Sequence, residues 1–366
     1  MGSREPEPSP VAPGPRFLPS AIQRVLLRAT LGDGSDAVQA WRVWRGATDV
    51  EALDPESHRL LPLLYSNLRR LGVEDPALVR YASVYKHTWY RNRLMFRALA
   101  AVLGRLGEAG IDTMVLKGVV LALRCYPHFG LRPMNDFDVL VPTDHMEAAV
   151  SALEAAGWRP APLPNGRRFA HATASLYHSW GFRGGTRGEL DLHWHSSADG
   201  CQRDADRAFW SASLPFTVED QETRALGSTD LLLHTLAHAY ASHDPVVRWV
   251  ADAVMVVRAE GDRIDWDRLV DQTRARHLVL PVRAALAHLS ESGLAPIPSG
   301  AIDALSLTRP DWMDRAEYAH RQSADPYSLP NKLARLWFWN WRLRGHASPL
   351  SAAVGFPAFL RQYAAR

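Results

Sequence analysis

The stretch from Leu116 to Val141, LKGVVLALRCYPHFGLRPMNDFDVLV, constrains this chain more than any other. Its first half reads as a strand end, a Lys-Gly turn and a short apolar helix. Its second half reads as a loop carrying Arg132, then a strand bearing Asp136 and Asp138 around Phe137. Side chains alternate faces along a strand, so both carboxylates are predicted on one face, with Phe137 and Val139 on the other. Two like charges about 4 Å apart repel by roughly 4 kcal/mol at an effective dielectric of about 20. A fold that sets them side by side has to supply a cation. With oxygen-only ligands the natural choice is Mg²⁺, which takes one or two carboxylates together with substrate phosphates.

A lone Asp-x-Asp carries little weight. The pattern recurs at Asp204/Asp206, in a polar loop after a strand, and at Asp265/Asp267, where it reads as a helix N-cap with acid at the positive end of the dipole. Only the first copy lies on an apolar strand directly after a Lys-Gly turn and an arginine. A second acidic strand follows in Gly188-Glu189-Leu190-Asp191-Leu192-His193-Trp194-His195, polar on one face and apolar on the other. If helices cover the apolar side, then Asp136, Asp138, Glu189, Asp191 and His193 line one open side. Alternation alone also fits a solvated sheet face. Three carboxylates meeting from two strands, Asp136, Asp138 and Asp191, are about what a two-metal phosphoryl or nucleotidyl site needs. Gly118 allows close backbone approach, the following helix offers free amides, and Lys117 adds a point charge suited to a phosphate chain. Lysine is rare here: Lys86, Lys117 and Lys332 stand against a basic complement otherwise made of arginine.

The 366 residues suffice for two or three substructures around a substantial core. An apolar fraction of 47%, a charged fraction of 22% and a net charge of +3 describe an ordinary globular chain without the basic excess that bulk nucleic-acid or membrane binding calls for. Cys125 and Cys201 make neither a disulfide framework nor a zinc knuckle, so a reducing cytoplasm is the expected setting. No run of about 18 apolar residues predicts a membrane span. The Pro-rich opening carries no apolar signal-peptide core.

Residues 1–16 are expected to form a disordered leader and 17–110 a helical region. Within the latter, one helical pattern covers His58–Gly72 and a long helix covers Val79–Leu106 with Leu94, Ala98, Val102 and Leu106 inward. Residues 111–200 form the α/β core. It runs from a strand at Thr113–Leu116, through the key stretch, to a helix opened by a capping-box pattern at Asp144-x-x-Glu147 with Met146, Ala149, Val150 and Leu153 inward. A turn at Pro164-Asn165-Gly166 follows, then strands Ala174–Phe182 and Glu189–His195 joined across Gly184-Gly185. Residues 201–366 read as helical, clearest at Thr229–Ala241, Pro245–Glu260 and Asp265–Arg274. The aromatic run at Leu336–Trp341 reads as core or as an oligomer contact.

Leu116-Lys117-Gly118, Tyr126-Pro127, Arg132, Asp136-Phe137-Asp138-Val139-Leu140-Val141 and Glu189-Leu190-Asp191-Leu192-His193-Trp194 resemble the uncharacterised nucleotidyltransferase family of the DNA polymerase β superfold. His234, His238, Arg248-Trp249, Asp252 and Ile264-Asp265-Trp266 resemble its helical half, so the likeness covers roughly residues 55–290. It implies an α/β (α+β) architecture: a mixed sheet with helices on one face and a Mg²⁺–nucleotide cleft on the other, flanked by N- and C-terminal helical regions. It further implies that Asp136 and Asp138 are paired ligands for Mg²⁺ or Mn²⁺, and that Asp191 is the third carboxylate, binding the catalytic metal and helping to deprotonate an acceptor. One departure stands out: the superfold usually carries Gly-Ser where this chain has Lys117-Gly118.

The reaction expected is transfer of an NMP group, AMP from ATP, to a hydroxyl or other nucleophile. Lys117, Gly118 and Arg132 would meet the phosphates, and His193 or His195 would contact phosphate or acceptor. A small molecule or peptide is the expected acceptor, with no stable nucleic-acid or membrane partner. Two alternatives stay open: a non-catalytic nucleotide-binding regulatory protein, and phosphoryl transfer from the same metals. His193-x-His195 with His171 and His178 could also ligate zinc. His234 and His238 share a helical face and are expected to pack or to hydrogen-bond Asp252. Arg248 is expected to brace helix against sheet and is within possible reach of a phosphate.

Overall fold

The structure is a computed structural model. It describes residues 15–162, 169, 176–184, 188–202, 204–241, 247–323, 325, 328–345 and 348–364. The turn at 164–166, His171, the start of the strand expected from Ala174, Gly185, the helix start at Pro245 and residues 1–14 lie outside these.

Seven strands make one mixed sheet: β1 (Met114–Leu116), β2 (Asp136–Leu140), β3 (Arg159–Pro160), β4 (Ser179–Arg183), β5 (Glu189–His193), β6 (Leu214–Val218) and β7 (Gln221–Ala225), in the order β3-β4-β5-β2-β1-β7-β6. β2 runs antiparallel to β1 and parallel to β5, and β4 runs antiparallel to β5. Paired residues share a face, so the register builds two ladders. On one face Phe137, Leu190 and Phe182 form one rung, and Val139, Leu192 and Trp180 the next; all six are buried. Each such side chain stabilises the fold by about 1.5–3 kcal/mol through burial. On the other face Asp138, Asp191 and Gly181 form one rung, with Leu140, His193 and Ser179 beyond it.

The apolar face lies against the long helix Ala77–Glu108 and helix Met146–Ala155. The long helix buries Val102 and Leu106 as expected, but ahead of Val102 it turns another stripe inward from the one expected. Met95, Phe96, Leu99, Val102, Leu103 and Leu106 are buried, whereas Leu94 is 47% exposed. Asn92 sets this rotation: wholly buried, its amide donates to the carbonyls of Phe129 and Arg132 at 2.7 and 2.9 Å. Leu94, two residues on, then points about 200° away. The helix expected from the Asp144 pattern starts later, at Met146, with His145 as N-cap and no side-chain cap bond, because a 3₁₀ turn over Thr143–His145 takes up the acidic residue. Ala149, Val150 and Leu153 are buried as expected.

The region after residue 200 is not purely helical. The hairpin β6–β7 returns to the sheet and sets β7 parallel to β1 through Met114 and Val115. Its strands show a weak apolar alternation (LPFTV and QETRA) that a helical reading passes over. Helices Ser228–Ala241 and Arg248–Glu260 then border the polar face, and helices from Trp266 to Ala364 pack outward from them. Asp265 caps its helix as expected, accepting from the Arg268 amide at 2.8 Å. No helix among the described residues is long and apolar enough to cross a membrane. The leader's last residues are engaged: the Arg16 amide donates to Gln322 Oε1, and Phe17 is buried against Tyr240 and Trp249.

Candidate active site

Parallel pairing of β2 with β5 puts Asp138 directly beside Asp191. Strand β1 ends at Leu116, opposite Asp138, and hands over to Lys117. Lys117 has a φ of +46°, in the left-handed region that costs an L-residue about 1–2 kcal/mol. Such strain persists where the surroundings over-determine it, and functional sites are where it collects. Here it accompanies a side chain tied to the sheet's polar face: Lys117 Nζ donates to Asp138 Oδ1 at 2.6 Å and lies 3.4 Å from His193 Nε2. His193 Nε2 in turn lies 3.1 Å from Asp138 Oδ1 and 3.2 Å from Asp191 Oδ2, and Nδ1 is 3.1 Å from the His195 carbonyl. With both ring nitrogens facing oxygen acceptors, this is the geometry of an imidazolium.

The proton affinities agree. Burial opposes the charged form of His193, but Asp191, together with hydrogen bonds to both carboxylates, pushes its pKa up to about 9. Burial also raises Asp138, and Lys117 and His193 more than reverse this, holding its carboxyl well below the ordinary range. Asp191 is lowered in the same way, chiefly by His193 after burial is overcome. Lys117 loses proton affinity through burial and more than regains it from Asp138 and Asp191. At neutral pH the cluster is therefore two carboxylates held by two cations.

Asp136, at the outer end of β2, is exposed, and partial loss of solvent followed by the Asp138 charge raises its carboxyl. It stands outside the group Asp138, Asp191 and His193, whose ligand atoms lie within 4.8 Å of one another. The polar face is less open than expected. His193 is fully buried and Asp138 is 4% exposed, while Asp191 is half-buried and Glu189 exposed beside Arg183. The loop after β5 is tied to the helix Ser228–Ala241 where His234 Nε2 meets the Ser196 carbonyl at 3.0 Å. His234 packs in the interior, one of the two roles expected of it, and its hydrogen-bond partner is Ser196 instead of Asp252.

Arg132 and Gly118 serve each other. Arg132 makes a two-pronged ion pair with Asp252, Nε to Oδ1 and Nη2 to Oδ2 both at 2.8 Å, and Tyr126 Oη donates to the same carboxylate at 2.8 Å. A Cβ on Gly118 would fall 2.7 Å from Arg132 Nη1 and 2.9 Å from Met134 Sδ. Glycine is needed there so that arginine and methionine can pack under the turn. Arg248 leans on this clamp, with Nη1 donating to the Pro133 carbonyl at 2.9 Å and Nε 3.8 Å from Asp252, where Nε has no hydrogen-bond partner.

His193 and His195 do not converge as a zinc pair. His195 Nδ1 lies 3.9 Å from Asp206, which sits in the loop after β5 as expected but is buried and takes the Ser196 amide and hydroxyl. His178 packs edge-on against His193 with ring centroids 5.4 Å apart, and burial pushes its pKa down to about 3. Two contributors went unread in the sequence. Ser179 Oγ donates to Asp191 Oδ2 at 3.2 Å, and Gly181 leaves room beside Asp191, a Cβ there meeting only Ala161 at 3.8 Å. The signal available was strand pairing: both sit opposite β5 once β4 is registered against it.

A family model described as uncharacterised nucleotidyltransferase matches residues 56–292. The chain belongs to that family. The matched interval contains the whole carboxylate wall and its Arg132–Asp252 clamp, and it ends before the helices that begin at Ser299. The mixed seven-stranded sheet is consistent with a nucleotidyltransferase fold. No curated protein matches the chain in sequence.

The donor chemistry suits a divalent ion. Two carboxylates in register supply the hard oxygens that Mg²⁺ or Mn²⁺ takes, and His193 Nε2 becomes a donor once deprotonated.

Proposed function

We propose that the protein is a divalent-metal-dependent nucleotidyltransferase that moves an NMP group, AMP from ATP, onto a hydroxyl or other nucleophile of a small molecule or peptide. The observation that carries this reading is the rung Asp138–Asp191 on adjacent parallel strands, with Lys117 at its edge. Asp138, Asp191 and, at the outer end of the strand, Asp136 would hold Mg²⁺ or Mn²⁺; the bound ion would neutralise charge on the α-phosphate and on the leaving pyrophosphate. Lys117, whose ammonium lies on Asp138, would offer it to the phosphate chain. Arg248, buried with an unpaired Nε, is the second phosphate contact. Arg132 acts by position: its guanidinium is taken up by Asp252, so it sets the Lys117–Gly118 turn and need not touch substrate. Asp191, ionised at neutral pH and steadied by Ser179, accepts the proton of the attacking hydroxyl.

One observation favours a second reading. The carboxylates already carry two protein cations, so the wall can exist without metal, as it would in a non-catalytic nucleotide binder. A single experiment separates the readings: incubation with Mg²⁺ or Mn²⁺, candidate acceptors, and ATP labelled at the α- or the γ-phosphate. Transfer of α-label with release of pyrophosphate is the expected result. Transfer of γ-label alone would mean phosphoryl transfer, and tight binding without transfer would favour the binder.

A further inference from the structure

Beside the carboxylate wall lies a cavity of about 350 Å³, within the size range of small-molecule sites. It is walled by Phe17, Tyr177, Tyr240, Phe338 and Trp339, and His178 closes one side. We propose that this cavity is the acceptor subsite of the transfer reaction and takes a compact molecule with a planar, largely aromatic body and a nucleophilic hydroxyl or amine at one end. The proposal rests on the nucleotidyltransferase reading and adds the chemical class of the second substrate.

Three observations converge on it. The first is placement. Along the sheet the order is β1, β2, β5, β4, so Lys117 stands on one flank of the Asp138–Asp191 rung and His178, just before β4, on the other. His178 touches both the cavity and His193, and its neighbour Ser179 bonds Asp191. In-line displacement needs the attacking and leaving oxygens on opposite sides of phosphorus. With the pyrophosphate end at Lys117, the nucleophile arrives from the β4 flank.

The second is charge. Of the four arginines that border the cavity, Arg321 and Arg342 are already committed to carboxylates, and Arg16 donates to the Ser323 carbonyl. Arg342 Nε lies 2.8 Å from Glu317 Oε1, and Arg321 Nη2 lies 2.9 Å from Glu317 Oε1 and 2.5 Å from Asp199 Oδ1. The two guanidinium groups nearest the aromatic walls, neutralised in this way, are not available to a triphosphate. They do hold the aromatic walls rigid, Arg321 lying 4.6 Å over the Tyr240 ring. Flat walls of this kind stack best on a flat ligand.

The third is origin. Phe17, Glu317, Arg321, Phe338, Trp339 and Arg342 all lie outside the interval 56–292 that the family model matches. The wall that does the chemistry falls inside that interval, and much of the wall that would choose the acceptor falls outside it. Acceptor choice is then a property of this chain's own C-terminal helices.

In the step itself the acceptor oxygen forms a bond to the α-phosphorus, and the bond from that phosphorus to the bridging oxygen of the β-phosphate breaks. Pyrophosphate leaves, and the acceptor's proton passes to the Asp191 carboxylate and on to solvent.

The test uses the full chain with 2-naphthol as the aromatic hydroxyl probe and glycerol as the non-aromatic control. Two variants, Ala198→Trp and Ala241→Trp, each fill the cavity from a different side, with thermal unfolding as the check on folding. We expect 2-naphthol to bind the parent protein and Asp138→Asn alike, and to bind each filled variant about tenfold or more weakly. We also expect the KM for ATP to stay unchanged in the filled variants while α-label transfer to the aromatic acceptor is lost. Undiminished 2-naphthol binding in both folded variants would overturn the assignment. So would a raised KM for ATP, which would make the cavity the seat of the base. Weakened binding in the filled variants with no α-label transfer from any protein would instead sink the nucleotidyl reading, and the acceptor role with it, leaving only an aromatic-binding cavity.

Discussion

At the wall, Asp138 and Asp191 face Lys117 and His193; at the clamp, Asp252 faces Arg132, Arg248 and Tyr126. Both clusters are largely buried and both mix acid with base, yet their chemistry differs in one respect. Every cation at the clamp is a guanidinium, which cannot shed its proton in a protein. At the wall, one cation is an imidazolium whose pKa of about 9 is within reach, and the other is an ammonium on a flexible stem. The clamp is therefore fixed, closed by two parallel charge-assisted bonds. The wall is exchangeable, since its positive charge can leave by deprotonation or by side-chain movement, as the proposed metal–nucleotide complex would require. Burial alone does not distinguish a site from a brace; the ability of the counter-charge to depart does.

Breaking each cluster should expose the contrast. The largest loss of stability is expected from Asp252→Ala, which strands Arg132 and Arg248 in the interior. Removing one partner of a buried pair costs about 3–5 kcal/mol, to be read as a drop in the denaturant midpoint. Asp138→Asn should cost much less, about 1–2 kcal/mol, because His193 can release its proton when a carboxylate is lost. The same variant should lower metal-dependent transfer by about 10²–10³-fold or more, and undiminished turnover would contradict the assignment. Gly118→Ala falls between. Its methyl group would push Arg132 and Met134 aside at about 1–3 kcal/mol, and transfer should weaken without loss of metal binding.

A pH series sharpens the comparison. His193 is raised in the folded state, so its ion pairs contribute fully below the unfolded value of about 6.5 and are lost as pH rises through about 9. Metal-free protein should lose stability across that window, while affinity for Mn²⁺ rises over it as the competing proton departs. Calorimetric titration in buffers of different ionisation enthalpy should detect proton release on binding near pH 7. Asp252→Ala should leave that proton release intact, whereas Asp138→Asn should diminish it.

Much of the wall was legible in the sequence because strand alternation is a local rule. Asp138 beside Phe137, and Asp191 with His193 between leucines, already fix which side chains share a face. What alternation cannot give is the neighbour across the sheet or the depth along it. Asp136 and Asp138 look equivalent in the sequence, but Asp138 is buried against Lys117 and His193 while Asp136, at the strand's outer end, is exposed. Arg132 looked like a phosphate ligand because its partner, Asp252, lies 120 residues away on a helix. The β6–β7 hairpin was missed because β6 carries a proline and β7 is mostly polar, and only pairing of β7 with β1 makes them part of the sheet.

The exchangeable wall is tested most directly by anomalous diffraction from crystals grown with Mn²⁺ and the non-hydrolysable analogue α,β-methylene-ATP. The account predicts an anomalous peak between the Asp138 and Asp191 carboxylates, with the Lys117 ammonium moved from Asp138 onto the phosphate chain. Nucleotide bound elsewhere, with no peak at that rung and Lys117 still on Asp138, would contradict it.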